Sequence, residues 1–396
     1  MFFSKKSVYA DAAAAIPLIP EARKRLVELL DVYGNPGGLH KESVVAKEAL
    51  ESARKEIAGT IGAHADEIVF TASGTEANNL ALEGVIDLYE GRKIAVSTLS
   101  TEHPSVLETL KAYEGYDVKT SYVKVDGEGI ASIGDIKESI SDKTALVSVA
   151  LINSELGVLQ DVRGIAKVLR GVRKERIESR NTLPILFHID ASQAPLWMRL
   201  QVDQLHPDLM TLDAQKCGGP KGVGLLYVRE GVELSSQIRG GDQERGLRAG
   251  TENVPLVGAF AVALSVAQKN CEENAARVRA LRDLLLAEIQ KKIPSVVVNG
   301  SVTSRVANNL NISIPGLLGE MAVIALSAKG VAASTRSACS TSDEDASHVL
   351  SAIGADSARA QSALRFTLLP TVTEADIERI AKALVEVYER YRQELT

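Results

Sequence analysis

Residues 67–228 alternate between two kinds of hydrophobic pattern, and this alternation constrains the fold more than any other feature of the chain. Short apolar runs bounded by turn residues predict buried strands, and apolar residues at helical spacing predict helices. The predicted strands cover residues 67–71, 94–97, 121–125, 145–151, 185–190, 209–212 and 223–227, and the helices between them end near residues 89, 113, 140 and 172. This order predicts an α/β fold with a mainly parallel sheet covered by helices.

The segments on either side of this region have a different organisation. Two helices are predicted before it, over residues 21–30 and 42–61, and a long helix over 256–291 follows it. Shorter strand and helix patterns then continue to the last helix, which starts near residue 373 and indicates a smaller α+β unit. We therefore predict a large domain over residues 14–258 and a small domain formed by residues 1–13 and 259–396.

Composition excludes several classes of function. The formal net charge is −6, and basic residues are interspersed with acidic ones, which argues against a nucleic-acid surface. The cysteines (Cys217, Cys271 and Cys339) are far apart, so their spacing indicates neither a disulfide framework nor a zinc site. The six histidines do not cluster at metal-ligand spacing either.

The chain shows no predicted targeting or membrane segment. No apolar stretch of signal-peptide length follows the first six residues, and the apolar run over residues 254–267 is too short to cross a bilayer. That run is interpreted as a buried helix. We therefore expect a cytoplasmic protein with no membrane partner.

Polar side chains follow several of the predicted strands. Asn153 and Glu155 come after one strand, Asp190 and Gln193 after another, and Lys216 after a third. Ligands of parallel sheets bind beyond the carboxyl ends of the strands. These side chains are therefore expected to converge on one site.

Lys216 lies in a glycine-rich turn, residues 211–224, between two predicted buried strands. The glycines let the backbone pass close to a flat ligand, and a lysine beside desolvating walls can attack a carbonyl as a free amine. A lysine in such a turn is also a common surface residue. The turn alone does not decide between these interpretations.

Residues 72–79 form a small-residue turn that leads from a strand into a helix. A helix that starts in this way presents bare N–H groups and the positive end of its dipole, as a phosphate site requires. The alternative is an ordinary helix cap at Ser73 or Thr75.

Four further residues each have a chemical and a structural interpretation. Asp190 could keep a pyridine ring protonated or cap a helix, and His103 could act in a site or lie in a loop. Arg365, alone in a strand pattern, could bind a substrate carboxylate or form an ion pair. Cys339, among small polar residues near Arg336, could be a reactive thiolate or a structural cysteine, and the sequence alone favours neither.

The chain resembles the cysteine desulfurases of the NifS/IscS type, within the class V aminotransferase group of fold-type I pyridoxal-phosphate enzymes. The resemblance spans nearly the whole chain, and its motifs occur in the order found in the family. They are residues 33–36 (Tyr-Gly-Asn-Pro), 74–76 (Gly-Thr-Glu), 101–103 (Thr-Glu-His), 153–157 (Asn-Ser-Glu-Leu-Gly), 190–193 (Asp-Ala-Ser-Gln), Lys216 with 219–222 (Gly-Pro-Lys-Gly), 244–251 (Glu-Arg-Gly-Leu-Arg-Ala-Gly-Thr), 337–339 (Ser-Ala-Cys) and 365–366 (Arg-Phe).

The resemblance implies a fold with a seven-stranded-type, mainly parallel sheet and a smaller C-terminal domain, and it implies pyridoxal 5′-phosphate as the cofactor. Lys216 would carry the cofactor, His103 would stack on its ring, and Cys339 would take the sulfur of L-cysteine as a persulfide while alanine leaves. The other implied cofactor contacts are Gly74, Thr75, Asp190, Gln193, Asp213, Gln215 and, across a homodimer, Thr251, and the implied substrate contacts are Arg365, Asn35 and Asn153. The expected partner is a sulfur acceptor or scaffold protein, in iron–sulfur cluster assembly or tRNA thiolation.

The chain departs from the family's pattern at three positions near the cofactor. Asp213 and Gln215 replace a serine and a histidine that usually help to hold the phosphate, and Ser154 replaces an asparagine. An ionised Asp213 would repel the phosphate dianion. Two alternatives to a desulfurase therefore stay open, namely a pyridoxal-phosphate lyase or transaminase for another amino acid such as selenocysteine, and a catalytically impaired homologue that acts as a sulfur-transfer partner.

Overall fold

The computed structural model describes residues 7–335 and 347–395, and the side chains up to residue 392. Cys339 and Arg336 lie outside these described residues. The strands of the described part are β1 (Val8–Tyr9), β2 (Ile68–Thr71), β3 (Ile94–Leu99), β4 (Val118–Val123), β5 (Thr144–Ala150), β6 (Leu186–Asp190), β7 (Leu209–Asp213), β8 (Gly224–Val228), β9 (Val297–Val298), β10 (Asn309–Ser313), β11 (Val331–Ala332) and β12 (Ala363–Thr367).

The helices lie between these strands and at both ends of the fold. They are α1 (Pro20–Leu29), α2 (Lys41–Ile61), α3 (Gly74–Asp87), α4 (Pro104–Ala112), α5 (Ile133–Glu138), α6 (Val162–Glu178), α7 (Val202–Leu205), α8 (Val254–Lys292), α9 (Gly319–Ala328), α10 (His348–Ala352), α11 (Ser357–Gln361) and α12 (Glu374–Leu395). Local signals account for several of their starts. For example, proline is at the first position of α1 and α4, where its missing N–H costs no hydrogen bond.

The central sheet has seven strands in the order β2-β8-β7-β6-β5-β3-β4. Every neighbouring pair from β7 to β4 is parallel, whereas β8 runs antiparallel to both β2 and β7. Strands β2, β3 and β5 to β8 are apolar and buried almost throughout, as expected for a sheet covered on both faces. The predicted fold class, a mainly parallel α/β sheet covered by helices, is confirmed.

The antiparallel hairpin of β7 and β8 positions the central lysine. Asp213, the last residue of β7, pairs with Gly224, the first residue of β8, and Gly224 also pairs with Thr71 at the end of β2. The residues between the two strands make a 3-10 turn over Ala214–Lys216. Lys216 therefore lies in a turn between two buried strands, as predicted.

A second, three-stranded sheet in the order β12-β10-β9 is antiparallel throughout and belongs to the C-terminal part of the chain. A short parallel pair, β1 with β11, and a bridge from Asp11 to Thr367 join the N-terminal residues to this part. The main hydrophobic cluster includes residues from both predicted domains, from Ala46 of α2 to Leu384 of α12. The division at residues 14 and 258 stays a prediction.

Helix α8 is long and apolar enough to cross a membrane, judged by length and composition, and it is the one such helix in the described part of the chain. Its most apolar 18-residue window has a mean hydropathy of 1.3, and 61% of that window is buried inside the protein. The helix packs against α1, α2 and α12, as a core helix does. Residues 254–267 thus form a buried helix, as predicted.

The largest shift from the predicted strand positions is at β4. We predicted residues 121–125, but the strand covers Val118–Val123. It is an edge strand of the sheet and is only partly buried, so its Lys, Thr and Ser residues give no continuous apolar run to locate it. The short elements β1, α7 and α11 were also missed, because two to five residues carry too little periodicity.

Candidate active site

A cavity of about 270 Å³ lies at the carboxyl ends of the parallel strands. Its walls come from the segments that follow β3, β5, β6 and β7, from the first turn of α3, and from β12. Lys216, Asp190, His103 and Arg365 all line it. The convergence predicted for the strand ends therefore occurs in the structure, since Asn153, Glu155 and Gln193 line the same cavity.

Lys216 is held by the N-terminal segment of the chain. Its Nζ donates hydrogen bonds to the carbonyl oxygens of Ala13 and Ala14, both at 2.6 Å. The following turn needs glycine, because Gly218 has a φ of 84° and a Cβ on Gly219 would lie 2.9 Å from the carbonyl oxygen of Ala214. The amine thus points into a partly buried pocket, which contradicts the alternative of an ordinary surface lysine.

Asp190 ends β6 with both carboxylate oxygens in hydrogen bonds. Oδ1 accepts from the backbone N–H of Ser192 at 2.9 Å, and Oδ2 accepts from Nδ2 of Asn78 at 2.9 Å. No helix starts in residues 191–201 of the described chain, so the alternative of a helix cap is wrong. A carboxylate fixed in this way in a cavity is suited to hold a proton on a ring nitrogen.

His103 is the N-cap of α4, and this cap orients its ring. Its Nδ1 accepts a hydrogen bond from the backbone N–H of Ser105 at 3.1 Å and lies 2.8 Å from the Ser105 hydroxyl. Burial lowers the pKa of His103 below its ordinary value, and this effect outweighs the opposing charge of Asp190. The imidazole is therefore neutral at pH 7, and it lines the cavity rather than lying in a solvent-exposed loop.

The first turn of α3 forms one end of the cavity, and the phosphate site predicted for residues 72–79 stays a prediction. Ser73 is an ordinary cap whose side chain accepts from the N–H of Glu76 at 3.2 Å. Gly74 and Thr75 line the cavity. The backbone N–H of Gly74 donates to Oδ2 of Asp213 at 3.1 Å, and Oδ2 also accepts from Nε2 of Gln215 at 3.2 Å.

Arg365, on β12, forms the ion pair of the structural interpretation and also lines the cavity. It is 1% exposed, and one guanidinium nitrogen donates to Asp11 at 2.8 Å, which is the ion pair of the structural interpretation. A second nitrogen donates to the carbonyl oxygen of Ser154 at 3.1 Å. Its buried Nε has no hydrogen-bond partner among the described residues, although the side chain lines the cavity.

The remaining predicted residues are placed differently. Gln193 lines the cavity and donates from Nε2 to the carbonyl oxygen of Ala13 at 3.0 Å. Asn153 also lines it, but its side-chain amide donates to Thr101 and accepts from the backbone of Glu155 and Leu156. Asn35 and Thr251 are exposed and do not line this cavity within one chain, and Cys339 lies outside the described residues.

Several polar residues of the site were missed by sequence reasoning. Asn78 holds Asp190 and also donates to the Ser105 hydroxyl at 2.8 Å, and its position one turn into α3 was an available signal. Glu102 is 1% exposed, accepts from the N–H of Ala150 at 2.9 Å, and has a second oxygen with no partner among the described residues. Burial raises the pKa of Glu102 to about 8, and the charge of Asp190 adds to this effect.

The donor set of the cavity fits pyridoxal 5′-phosphate. Lys216 supplies an amine that can link to a carbonyl, Asp190 a fixed carboxylate for a ring nitrogen, and His103 a neutral imidazole. Thr75 and the start of α3 supply donors for a phosphate at the other end. Asp213 is the member of this set whose charge opposes a phosphate.

A mainly parallel sheet with a lysine-bearing turn at its carboxyl edge and a fixed carboxylate in the same cavity is the arrangement expected of a pyridoxal phosphate-dependent enzyme. The chain belongs to the aminotransferase class-V family, which it matches over residues 8–380. It is similar to the cysteine desulfurase IscS of Dictyoglomus turgidum, with 36% identity covering 98% of this chain and 96% of that protein.

Two further comparisons agree with this assignment. The cysteine desulfurase IscS of Methanosarcina thermophila is 35% identical, covering 98% of this chain and 93% of that protein. A solved structure of a NifS-like protein superimposes with a TM-score of 0.88 and 31% identity, covering 97% of this chain and 100% of that one. The predicted family is confirmed.

Proposed function

We propose that this protein is a pyridoxal phosphate-dependent cysteine desulfurase that converts L-cysteine to L-alanine and transfers the sulfur to Cys339. The observation that carries the proposal is the single cavity that combines Lys216, Asp190, His103 and Arg365. The relatives named cysteine desulfurase, which match this chain over nearly its full length, support it.

The residues at the ring end of the cavity would hold the cofactor. Lys216 would bind it covalently, Asp190 would keep the ring nitrogen protonated, and His103 would pack against the ring. Gln193 would donate to the ring's phenolic oxygen once its hydrogen bond to Ala13 is exchanged. When bound, the cofactor supplies an electron-withdrawing ring that weakens the bonds at the substrate's Cα.

Arg365 would hold the substrate carboxylate. It is positioned by Asp11 and by the carbonyl oxygen of Ser154, and its side chain lines the cavity. A guanidinium binds a carboxylate through two parallel hydrogen bonds, so it fixes the orientation of the amino acid as well as its position. The Cα–H would then face Lys216, whose amine, once it has given up the cofactor to the substrate, can remove and return the proton.

Cys339 would attack the substrate sulfur as a thiolate, so that a new S–S bond forms on the enzyme as the substrate's C–S bond breaks. The products are an enzyme persulfide and alanine, after a proton is returned to the carbon that lost sulfur. Residues on both sides of the segment that carries Cys339 lie at the cavity. Ser334 forms a β-bridge with Arg365, Ser347 donates to Glu155 at 2.5 Å, and His348 lines the wall.

The protein would work as a homodimer with a sulfur acceptor or scaffold protein as its partner. Thr251 is exposed and does not line the cavity of its own chain, as expected for a residue that reaches the phosphate of a second subunit. Large apolar side chains are exposed around Asn35, as an interface requires, and these are Val27, Leu30, Tyr33, Leu39, Val44 and Val45. The cytoplasm is the proposed location.

The test is product formation from L-cysteine by the purified protein, supplied with pyridoxal phosphate and a reductant. We expect alanine and sulfide in equal amounts. Lys216→Ala should lose both products and the visible absorption of the lysine-linked cofactor, whereas Cys339→Ala should lose the products but keep the absorption. Full turnover by Cys339→Ala would contradict the proposed persulfide step, and full turnover by Lys216→Ala would contradict the assignment of the whole site.

A further inference from the structure

Asp213 occupies the end of the cavity where a phosphate would bind. The residue closes β7, is 6% exposed and lines the cavity together with Gly74, Thr75 and Ser192. The register of the sheet brings it there, because Thr71, Gly224 and Asp213 pair in one row across β2, β8 and β7. The turn from β2 into α3 consequently starts directly beside the Asp213 carboxylate.

The Asp213 carboxylate accepts a hydrogen bond from one of the N–H groups at the start of α3 that an anion bound there would use, that of Gly74. Oδ2 accepts from the backbone N–H of Gly74, the first residue of α3, at 3.1 Å. The same oxygen accepts from Nε2 of Gln215 at 3.2 Å, and Oδ1 accepts from the backbone N–H of Gln215 at 3.1 Å. Free N–H groups at a helix start favour one negative group, and here the protein supplies that group itself.

The packing around this carboxylate is close. A Cβ placed on Gly74 would lie 3.1 Å from the Cβ of Asp213 and 3.2 Å from both Asp213 Oδ2 and Ser192 Oγ. Arg248, which lines an adjoining cavity with Thr75, donates to Glu76 at 2.8 Å. A phosphate at this place would therefore meet a carboxylate at close range, and two like charges a few ångströms apart repel each other strongly when partly buried.

We propose that Asp213 determines the specificity of the site for the 5′ substituent of the cofactor, by acting as a built-in anion that competes with the phosphate for the start of α3. The phosphate of pyridoxal 5′-phosphate binds only when Asp213 releases the N–H of Gly74. A cofactor with an uncharged 5′ group meets no such competition and can donate a hydrogen bond to the carboxylate. This inference rests on the proposed function, because it assumes that the cavity binds a pyridoxal cofactor.

The experiment compares pyridoxal 5′-phosphate with pyridoxal in the same protein. Apoprotein of the wild type, Asp213→Asn and Asp213→Ser is titrated with each compound, and binding is followed by the absorption of the lysine-linked product and by equilibrium dialysis. Asparagine keeps an oxygen that can accept from Gly74, so the start of α3 is preserved. The preference is the affinity for pyridoxal 5′-phosphate divided by the affinity for pyridoxal. We expect both variants to raise this ratio on the order of tenfold or more, with little change in the affinity for pyridoxal itself.

Asp161→Asn is the matched control. Asp161 is an exposed aspartate that caps α6 by accepting from the N–H of Gly164 at 2.9 Å, and it does not line the cavity. Its substitution makes the same chemical change at another helix start, so the preference should stay at the wild-type value. Because pyridoxal binding reports on the rest of the cavity, it also shows that each variant is folded.

The outcomes separate this inference from the proposed function. An unchanged preference in Asp213→Asn, with both compounds bound by the wild type, would overturn the role of Asp213 and leave the desulfurase proposal in place. Failure of every variant to bind either compound would overturn both. If the wild type bound only pyridoxal and Asp213→Asn also bound pyridoxal 5′-phosphate, the role of Asp213 would be supported and the proposed activity of the natural chain would fail.

Discussion

Glu102 is held as a neutral acid inside the active-site cavity. Burial raises its pKa to about 8, and the nearby Asp190 adds to this effect, while the N–H of Ala150 opposes it. Its second oxygen has no partner among the described residues. A protonated carboxyl group is the less costly form in such surroundings, so Glu102 is a source of pH dependence in the folded protein.

Glu102→Gln should change how stability depends on pH. In the unfolded chain the carboxyl loses its proton near its ordinary pKa of 4.5, whereas in the folded chain it keeps the proton up to about pH 8. The wild type therefore loses stability as pH rises between these values, and the glutamine variant lacks this loss. We expect the variant's advantage in free energy of unfolding to grow between pH 5 and 8, to a few kcal/mol.

Urea unfolding of the apoprotein at several pH values measures this effect. Glu56→Gln, on the exposed side of α2, is the control for removal of a surface carboxylate. Parallel stability curves for the wild type and Glu102→Gln would show that Glu102 is already ionised at neutral pH.

At the scale of elements, the site depends on the close approach of β8 to the turn before α3. Gly224 starts β8 between Thr71 and Asp213, and a Cβ at Gly224 would lie 2.5 Å from the carbonyl carbon of Ser73. That neighbour is backbone, so it cannot move aside without displacing the start of α3. Glycine at this position thus fixes the distance between the hairpin with Lys216 and the phosphate end.

Gly224→Ala should destabilise the protein by about 2 kcal/mol or more, because the overlap forces β8 and the turn apart. It should also weaken binding of pyridoxal 5′-phosphate. Thermal unfolding and cofactor titration measure the two effects. Gly59→Ala is the matched control, since Gly59 lies inside α2 with nothing within 4 Å of its added Cβ, and alanine there should be neutral or stabilising. Equal melting temperatures for Gly224→Ala and the wild type would contradict the close packing.

At the scale of the whole molecule, the proposed homodimer predicts that each cofactor site is shared. Thr251→Asp would place a negative charge at the phosphate of the other subunit, and Lys216→Ala would inactivate its own subunit's site. Neither protein alone should turn over cysteine. In a mixed dimer, the site with an intact Lys216 receives Thr251 from the partner, so about a quarter of the wild-type sites should be restored if mixing is random.

Subunit exchange between the two purified variants, followed by an assay of alanine, tests this prediction. Mixing each variant with itself is the control. Absence of any activity in mixtures that are shown to contain heterodimers would contradict the shared site, and activity of Thr251→Asp alone would exclude Thr251 from the phosphate end.

Local patterns in the sequence were sufficient for most of the elements. Helix α2 was predicted over residues 42–61 and covers Lys41–Ile61, and the two strands around Lys216 differ from their predictions by a single residue at their ends. The side chains of Lys216, Asp190, His103 and Arg365 were also selected from their positions after or within strands, and all line one cavity. The hydrophobic patterns and turn residues behind these predictions lie within a few residues of each other, so the sequence alone is enough to recognise them.

The sequence by itself determined the strand and helix order, and hence the parallel sheet and the edge at which the ligand site lies. Only the tertiary structure decided what each polar group contacts. Arg365 pairs with Asp11 across 354 positions of the chain, and Asp213 caps Gly74 across 139. The physical reason is that hydrogen bonds depend on distances in space, and those distances are fixed by sheet register and packing rather than by neighbours in sequence.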